Sequence, residues 1–522
     1  MKKALTLVLA ILMVLTMVPA LAEEEKPVLV VTMRQNSLVT DYENNDFTQW
    51  VEEQLDCELD FLILPASDTT TRINMMVQNN EYMGDVWLCG ESLAVMQRYA
   101  DLGAIQPLNE FYEKYDTNLE ARGAEMERDL IAECTSADGN IYTYPKFIFS
   151  ISNEHPYRAF INQTWLDNLG LKMPTTTEEL YTVLKAFKEQ DANGNGDPND
   201  EIPALGCIPA FGANPEHFLM NPFFQYQQNG YLLEDGKLSL ICMDEDYREA
   251  LRYMQRLVTE GLLSQETWTL TTGQYNSRLT GDEVKVGMVF TAVASNFGAT
   301  NPNLSQYKSV PVLAGPKGER HITYVPTLPV NDWVMPTSCK NPELAFKFMD
   351  LMFTREVYFR SRYGVEGRDW EVIPYEGNEK AYEVMGFDVL TREIHSMWTT
   401  PGNESWKYNL GFNTVEHNCL WNGDENWFNY QRWLSIQDEL PLIPKTGEYV
   451  LRLVQTPEEI EEFADITTVT NQTASEFKTN AIFGRVNLDE DWDAYIKLMK
   501  DMGIEKKVEM LQEAYDRTIG LK

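Results

Sequence analysis

The stretch "PVLVVTM" (residues 27–33) is a run of strand-forming side chains, and the pattern that begins there decides the fold class. Apolar residues then recur at helical spacing over 46–56, and "LDFLIL" (59–64) reads as a second strand. A second helix over 68–80 and a short strand over 84–88 continue the alternation. Strands that alternate with helices in this way predict an α/β domain with a parallel sheet.

Farther along the chain the alternation continues. The stretch "IYTYPK" (141–146) follows a turn and predicts a strand that crosses between two lobes. A helix is predicted over 176–190, because Thr176 and Glu179 have the spacing of a capping box. Another strand is expected within 321–336, and the last hundred residues are mostly helical. With 522 residues, the chain is long enough for two large lobes or for several conventional domains.

The charge balance argues against some classes of binding partner. Lys and Arg total 43 and Asp and Glu total 80, so the formal net charge is −37. Nucleic acids and anionic membranes are bound through basic surface, which this composition argues against. The apolar share of 43% and the aromatic share of 11% are typical of a globular protein with substantial cores.

The first 22 residues have the features of a secretory signal peptide. Lys2 and Lys3 form a basic start, an apolar run follows over 4–18, and Ala-Leu-Ala at 20–22 matches an A-x-A cleavage site. The run is short for a membrane span, and the cleavage site has no lipobox cysteine beside it. We therefore expect signal peptide 1–22 and a secreted protein on the extracellular side of the cell membrane.

The loop "DANGNGDPNDE" (191–201) concentrates oxygen-bearing side chains. It begins like an EF-hand calcium loop, with oxygens at positions 1, 3 and 5 and Gly196 at position 6, where the loop turns sharply. It then departs, because position 12 is Ile202 and the acidic residues come just before it. The expected ligands of a structural Ca²⁺ are Asp191, Asn193, Asn195, Asp197, Asp200 and Glu201. The alternative is a solvated Asn-Gly turn without metal.

Four longer segments resemble one known family. They are "NQTWLDNLGLKMPTTTEELYTVLKAFKEQDANGNGDPNDEIP" (162–203), "NPELAFKFMDLMFTREVYFRSRYGVEGRDW" (341–370), "DITTVTNQTASEFKTNAIFG" (465–484) and "YIKLMKDMGIEKKVEMLQEAYDR" (495–517). In this order they are similar to segments of the solute-binding proteins of bacterial ABC importers, in the LplA-like, oligosaccharide-associated branch. Many relatives are lipid-anchored, so the absence of a lipobox is a departure from the family pattern.

The resemblance implies a fold and a role. The expected fold is a two-lobed, periplasmic-binding-protein-like α/β clamshell with parallel or mixed sheets and a helical C-terminal region. Lobe one would comprise 26–146 and 321–365, and lobe two 147–320 and 366–522. The implied function is to bind an oligosaccharide between the lobes and deliver it to the permease subunits of an ABC transporter. We expect a monomer that closes about a hinge when ligand binds.

Aromatic residues are the candidate ligand contacts, because a sugar ring packs its C–H face on an aromatic plane. The chain has 12 tryptophans, and five of them lie between 398 and 433. In open α/β sheets the ligand lies beyond the carboxyl ends of the strands, where Trp87 is expected. The candidate contacts are Trp87, Tyr144, Trp268, Phe290, Trp333, Trp398 and Trp406. The alternative for each of these residues is that it packs in a hydrophobic core and does not contact a ligand.

Other functions remain open at this stage. A peptide- or lipid-precursor-binding protein would share the fold. A secreted glycoside hydrolase would need two carboxylates flanking the scissile bond, and with 80 acidic residues such a pair is available anywhere. The sequence has no H-E-x-x-H, G-x-S-x-G or C-x-x-C motif, so we expect a binding protein and not an enzyme.

Overall fold

The computed structural model describes residues 26–88, 90–225, 227, 229–280, 283–292, 301–385, 389–394, 397, 401–414, 428–445 and 447–520. The predicted signal peptide and Trp398 lie outside these residues. Within the described part of the chain, every helix is too short or too polar to cross a bilayer.

The first lobe begins with the predicted strand–helix alternation. Its elements are β1 (Val28–Arg34), α1 (Asp46–Leu55), β2 (Glu58–Leu64), α2 (Thr69–Asn79), β3 (Val86–Leu88), α3 (Leu93–Asp101), α4 (Asn109–Tyr115), α5 (Leu119–Glu125), α6 (Leu130–Cys134) and β4 (Thr143–Ile148). The first five elements lie within two residues of the ranges that the periodicity predicts. Apolar spacing is a local signal, and here the tertiary structure agrees with it.

The chain then crosses into the second lobe. The elements there are α7 (Ile151–Glu154), β5 (Ala159–Asn162), α8 (Gln163–Leu169), α9 (Thr177–Glu189), β6 (Ile202–Leu205), α10 (Glu216–Leu219), β7 (Tyr231–Glu234), β8 (Lys237–Leu240), α11 (Glu245–Thr259), α12 (Thr272–Leu279), β9 (Val286–Phe290) and β10 (Tyr307–Ser309). Four of these strands form a sheet in the order β10-β5-β9-β6.

The chain then returns to the first lobe, and most of its later elements belong to the second. The remaining elements are β11 (Val330–Val334), α13 (Pro342–Met352), α14 (Arg355–Tyr363), β12 (Trp370–Ile373), α15 (Glu379–Met385), β13 (Leu390–Glu393), β14 (Phe412–Asn413), α16 (Phe428–Glu439), α17 (Pro457–Glu462), α18 (Ala464–Ile482), α19 (Trp492–Asp501) and α20 (Ile504–Gly520). The first-lobe sheet has six strands in the order β14-β4-β11-β3-β1-β2.

The first sheet is mixed. Strand β1 is parallel to β2 and β3, whereas β11 is antiparallel to β3 and β4. Helices cover both faces, so its strands are buried on both sides: Val86 packs with β1, α1 and α13, and Trp87 packs with α2 and α3. Because β1 and β3 run in the same direction and β11 runs in the opposite one, the carboxyl ends of β1 and β3 lie at the same edge of the sheet as the start of β11.

The later part of the chain modifies the expected lobe boundaries. Strand β14 pairs with β4 in the first sheet, and Trp406 and Phe412 are buried in the first lobe's core. Arg368 also reaches Asp46 at the start of α1, with a nitrogen–oxygen distance of 2.6 Å. We propose that the first lobe includes 401–413 in addition to 26–146 and 321–365.

Candidate functional site

The edge where β1 and β3 end faces the second lobe. Ser92 and Asn331 lie there, and the Asn331 side-chain amide donates to the Glu91 carbonyl at 3.0 Å. Both line a cavity of about 330 Å³ that second-lobe residues, among them Arg452, Leu453 and Val454, also line. The carboxyl ends of the strands, where ligands of α/β sheets bind, are therefore next to open space between the lobes.

A larger cavity of about 790 Å³ adjoins the first, and Glu133 and Arg452 line both. We call the two together the interlobe groove. The larger cavity is lined by residues from 127–133, by the crossing residues Glu154, Tyr324 and Thr327, and by residues from 447–452 and 515–519. Its volume falls in the range typical of small-molecule sites, roughly 300–1,000 Å³.

Two tyrosines form an aromatic wall of the groove. The rings of Tyr324 and Tyr449 meet edge to face, with centroids 5.6 Å apart. The Glu154 carboxylate accepts from the Tyr324 hydroxyl at 3.2 Å and from the Thr327 backbone amide at 2.9 Å. Burial raises the pKa of Tyr324, and the Glu154 charge raises it further. Aromatic faces beside carboxylate oxygens are suited to a polyhydroxylated ligand.

The arginines of the groove are already engaged by the protein. Arg128 binds both oxygens of Glu133, donates to the Thr327 carbonyl at 2.9 Å, and lies over a phenylalanine ring. Arg452 donates to the carbonyls of Ala132 at 3.0 Å and Thr135 at 3.4 Å, at the carboxyl end of α6. Burial lowers the pKa of Arg452. These bonds connect the two lobes and position the groove wall.

Most of the aromatic residues that the sequence analysis named as ligand contacts lie in the cores of the lobes. Five of the seven are buried and expose at most 1% of their surface: Trp87, Tyr144, Phe290, Trp333 and Trp406. The ring of Trp87 packs on Tyr99, and that of Trp333 packs edge-on against Phe348. Four of them lie on strands, and Trp406 packs against α1 and the edge strand β2, so all five pack the lobes and none is among the residues that line the groove.

The polar atoms of two of these aromatics bond partners inside the lobes, whereas the buried indole N–H of Trp87 has no hydrogen-bond partner among the described residues. The Tyr144 hydroxyl bonds the carboxylates of Asp116 and Asp350, and Trp406 donates to the Thr48 hydroxyl at 2.7 Å. Trp268 is half-buried in the second lobe, where its indole N–H donates to Glu216 at 3.4 Å. The sequence pattern did not single out Tyr324 or Tyr449. Their signal is a tyrosine in a Pro- or Gly-flanked segment, which many surface loops share.

The acidic loop 191–201 has the form of a series of Asn and Asp turns. Asp191 accepts from the Gly196 amide at 2.9 Å, and Asn195 accepts from the Asp197 amide at 2.8 Å. The Asp200 carboxylate accepts from the side-chain amides of Asn193 and Asn195 and forms an ion pair with Lys285 at 3.0 Å. The bond to Lys285 lowers the pKa of Asp200.

The turns of the loop do not use all of its carboxylate oxygens. Two buried carboxylate oxygens in it, Asp191 Oδ1 and Glu201 Oε2, have no hydrogen-bond partner among the described residues. The same part of the chain contains no cluster of three or more His, Cys, Asp or Glu residues placed to hold a metal. Two orphan carboxylate oxygens together with two asparagine amides nevertheless match the hard oxygen ligands that calcium prefers.

Comparison with known proteins supports the same fold. The family model described as bacterial extracellular solute-binding protein matches residues 88–358, which is more than half of the 522-residue chain. The fructooligosaccharide ABC transporter substrate-binding protein FusA of Streptococcus pneumoniae is 26% identical over 467 residues, covering 86% of this chain and 83% of that protein.

Solved structures show the architecture. An EF-hand mutant of S. pneumoniae FusA in complex with fructo-nystose has a TM-score of 0.73 at 23% identity, covering 95% of this chain and 100% of that one. An HMO-binding, ABC-transporter-associated solute-binding protein from Bifidobacterium longum infantis has a TM-score of 0.76 at 20% identity, covering 94% and 99%. The two-lobed α/β fold predicted from the sequence is confirmed.

Proposed function

The chain belongs to the family of bacterial extracellular solute-binding proteins, and from this premise we propose that it binds an oligosaccharide in the interlobe groove and delivers it unaltered to an ABC transporter permease. The permease would recognise the loaded protein outside the cell. The predicted signal peptide 1–22 and a monomeric state are part of the same proposal.

One observation carries the proposal. The larger cavity of the interlobe groove, of about 790 Å³, has walls from both lobes, with the Tyr324 and Tyr449 rings beside the carboxylates of Glu133 and Glu154. Arg128 is paired with Glu133, and the donors of Arg452 bond backbone carbonyls beside the same carboxylate, so the groove favours a neutral, hydroxyl-rich ligand over a polyanion. Closing two such walls on a sugar buries its C–H faces and satisfies its hydroxyls.

Fructooligosaccharides are the first ligands to test, because FusA, which matches most of the chain, is described as a fructooligosaccharide-binding component. We expect titration calorimetry to detect saturable binding of kestose or nystose, with milk oligosaccharides and galacturonan oligomers as competitors. Chromatography of the recovered sugar should show it unchanged. Released shorter sugars would support the glycoside hydrolase alternative, and an absence of binding to every sugar would contradict the proposal.

Tyr449→Ala tests the aromatic wall. Removing this ring should weaken oligosaccharide binding roughly 5- to 150-fold, since a ring packed on a ligand contributes ~1–3 kcal/mol. The matched control is Tyr375→Ala, which removes an exposed tyrosine from outside the groove lining. Equal affinities for both variants and the parent, measured by calorimetry, would remove Tyr449 from the site.

We also propose that the loop 191–201 holds a structural Ca²⁺. The residues that would hold it are Asp191, Asn193, Asn195, Asp197, Asp200 and Glu201, and the ion would neutralise a loop rich in negative charge. Two buried carboxylate oxygens without partners support this assignment. FusA, in its EF-hand mutant form, provides a structural relative whose description names such a motif.

Chelation tests the calcium proposal. We expect EDTA to lower the melting temperature of the purified protein and excess Ca²⁺ to restore it, because a ligand of the folded state stabilises by mass action. Glu201→Gln should abolish the response, whereas Glu189→Gln, at the exposed end of α9, should retain it. A parent protein indifferent to EDTA and to Ca²⁺ would refute the proposal.

A further inference from the structure

A second cavity, of about 370 Å³, lies within the second lobe, apart from the proposed saccharide site. Its walls are the segment from β7 to the start of α11 and the C-terminal helices α18, α19 and α20, and Gln455 is shared with the groove. This volume equals that of on the order of ten water molecules in the liquid. The cavity is large enough for a small organic molecule and too small for an oligosaccharide.

A buried cation lies at this cavity. Lys507 of α20 lines it and is only 6% exposed. Its ammonium donates to the Asn471 side-chain oxygen at 2.8 Å and lies 3.5 Å from the Thr470 hydroxyl, both on α18. Among the residues that the structure describes, no carboxylate lies within ion-pair distance of this ammonium.

The surroundings of Lys507 are otherwise neutral or cationic. Lys478 also lines the cavity, and its own charge is paired with Glu216 at 2.6 Å. Cys242 and Ser475 add polar groups to the wall. Burial lowers the pKa of Lys507, which reflects the cost of holding an ammonium away from water without a counter-ion.

The rest of the wall has an apolar part and a polar part, the latter including Asn229, Gln455 and Thr467. Ile241, Met499, Ile504, Met510 and Leu511 line the cavity beside the ammonium. A molecule that fills it would therefore place an anionic group on Lys507 and an apolar body against these side chains.

We propose that this second-lobe cavity binds a small molecule that carries a carboxylate or phosphate group and a short apolar body, with Lys507 as the anion contact. Lys507 supplies the ion pair, Ser475 and Asn471 supply hydrogen bonds, and the apolar wall selects against fully hydrated inorganic ions. The site is independent of the proposed saccharide function, since no residue of the groove's aromatic wall contributes to it.

The test uses the purified full-length chain and three probes: sodium hexanoate, sodium acetate and inorganic phosphate. Each is compared with sodium chloride at equal ionic strength by thermal shift and calorimetry. We expect hexanoate to raise the melting temperature saturably and to bind at least tenfold more tightly than acetate. If phosphate alone binds, the anionic group is a phosphate and the apolar requirement is wrong.

Lys507→Met is the decisive variant, because it keeps an unbranched side chain only one heavy atom shorter and removes the charge. It should fold with at least the parent's stability and lose at least tenfold in probe affinity. Lys497→Met, an exposed lysine of α19, is the control with the same change in net charge and should bind like the parent. Equal responses of parent and Lys507→Met, or no probe response in the parent, would overturn the proposal.

Discussion

At the residue scale, burial decides what several ionisable side chains do. The imidazole of His217 stacks on Tyr157 with ring centroids 3.9 Å apart. Burial lowers the pKa of His217 from 6.5 to about 4, although the nearby Glu216 charge opposes the change. The unfolded chain therefore gains a proton near pH 6.5, whereas the folded chain stays neutral at this site until about pH 4. Stability contributed by His217 is present above pH 6.5 and is lost as the pH falls through this window.

His217→Gln tests this account. Between pH 7 and pH 4 the parent should lose up to ~3 kcal/mol more of its free energy of unfolding than the variant, because one pKa unit corresponds to about 1.4 kcal/mol. Urea titrations at several pH values measure the difference. His321→Gln is the control, since that imidazole is partly exposed beside Glu319. Parallel pH profiles of the parent and His217→Gln would contradict the assigned shift.

At the scale of elements, local patterns place helices and strands well. The helix predicted over 176–190 is α9, Thr177–Glu189, and Thr176 caps it by accepting from the Glu179 amide. The predicted capping box is only half formed, because the Glu179 carboxylate accepts from the amide and hydroxyl of Thr175. The pairing of α8, α9 and β9 could not be predicted, because it depends on contacts distant in sequence.

Gly287 of β9 tests that packing. A Cβ there would lie 2.5 Å from the Phe187 ring on α9 and 2.8 Å from the Trp165 ring on α8. Gly287→Ala should therefore destabilise the protein by ~1–3 kcal/mol through overpacking. Gly273→Ala, in the open first turn of α12, should leave the urea midpoint unchanged or slightly higher. Equal midpoints for the two variants would mean that the contact between β9, α8 and α9 is looser than described.

At the scale of the whole molecule, the sequence predicts the two lobes but not the lining of the groove. Trp87 lies within β3 and Trp333 one residue before the end of β11, and helices cover both faces of their sheet and bury the rings. Strand alternation cannot separate a tryptophan that faces a cleft from one that faces a core. Tyr324 and Tyr449 come together only because two segments distant in sequence meet between the lobes.

The interlobe contacts indicate which regions should respond to ligand. Arg128 bonds the crossing segment at Thr327, and Arg452 of the second lobe bonds the carboxyl end of α6 in the first. A ligand held between the lobes should shield both walls from solvent and slow the opening of their backbone hydrogen bonds.

Hydrogen–deuterium exchange with and without a saturating oligosaccharide tests the central claim most directly. The account predicts slower exchange in 127–133, 324–327 and 447–452 together, with the elements of the second-lobe cavity unchanged. Protection confined to one lobe, or none in these three segments while calorimetry shows binding, would place the ligand elsewhere and contradict the account.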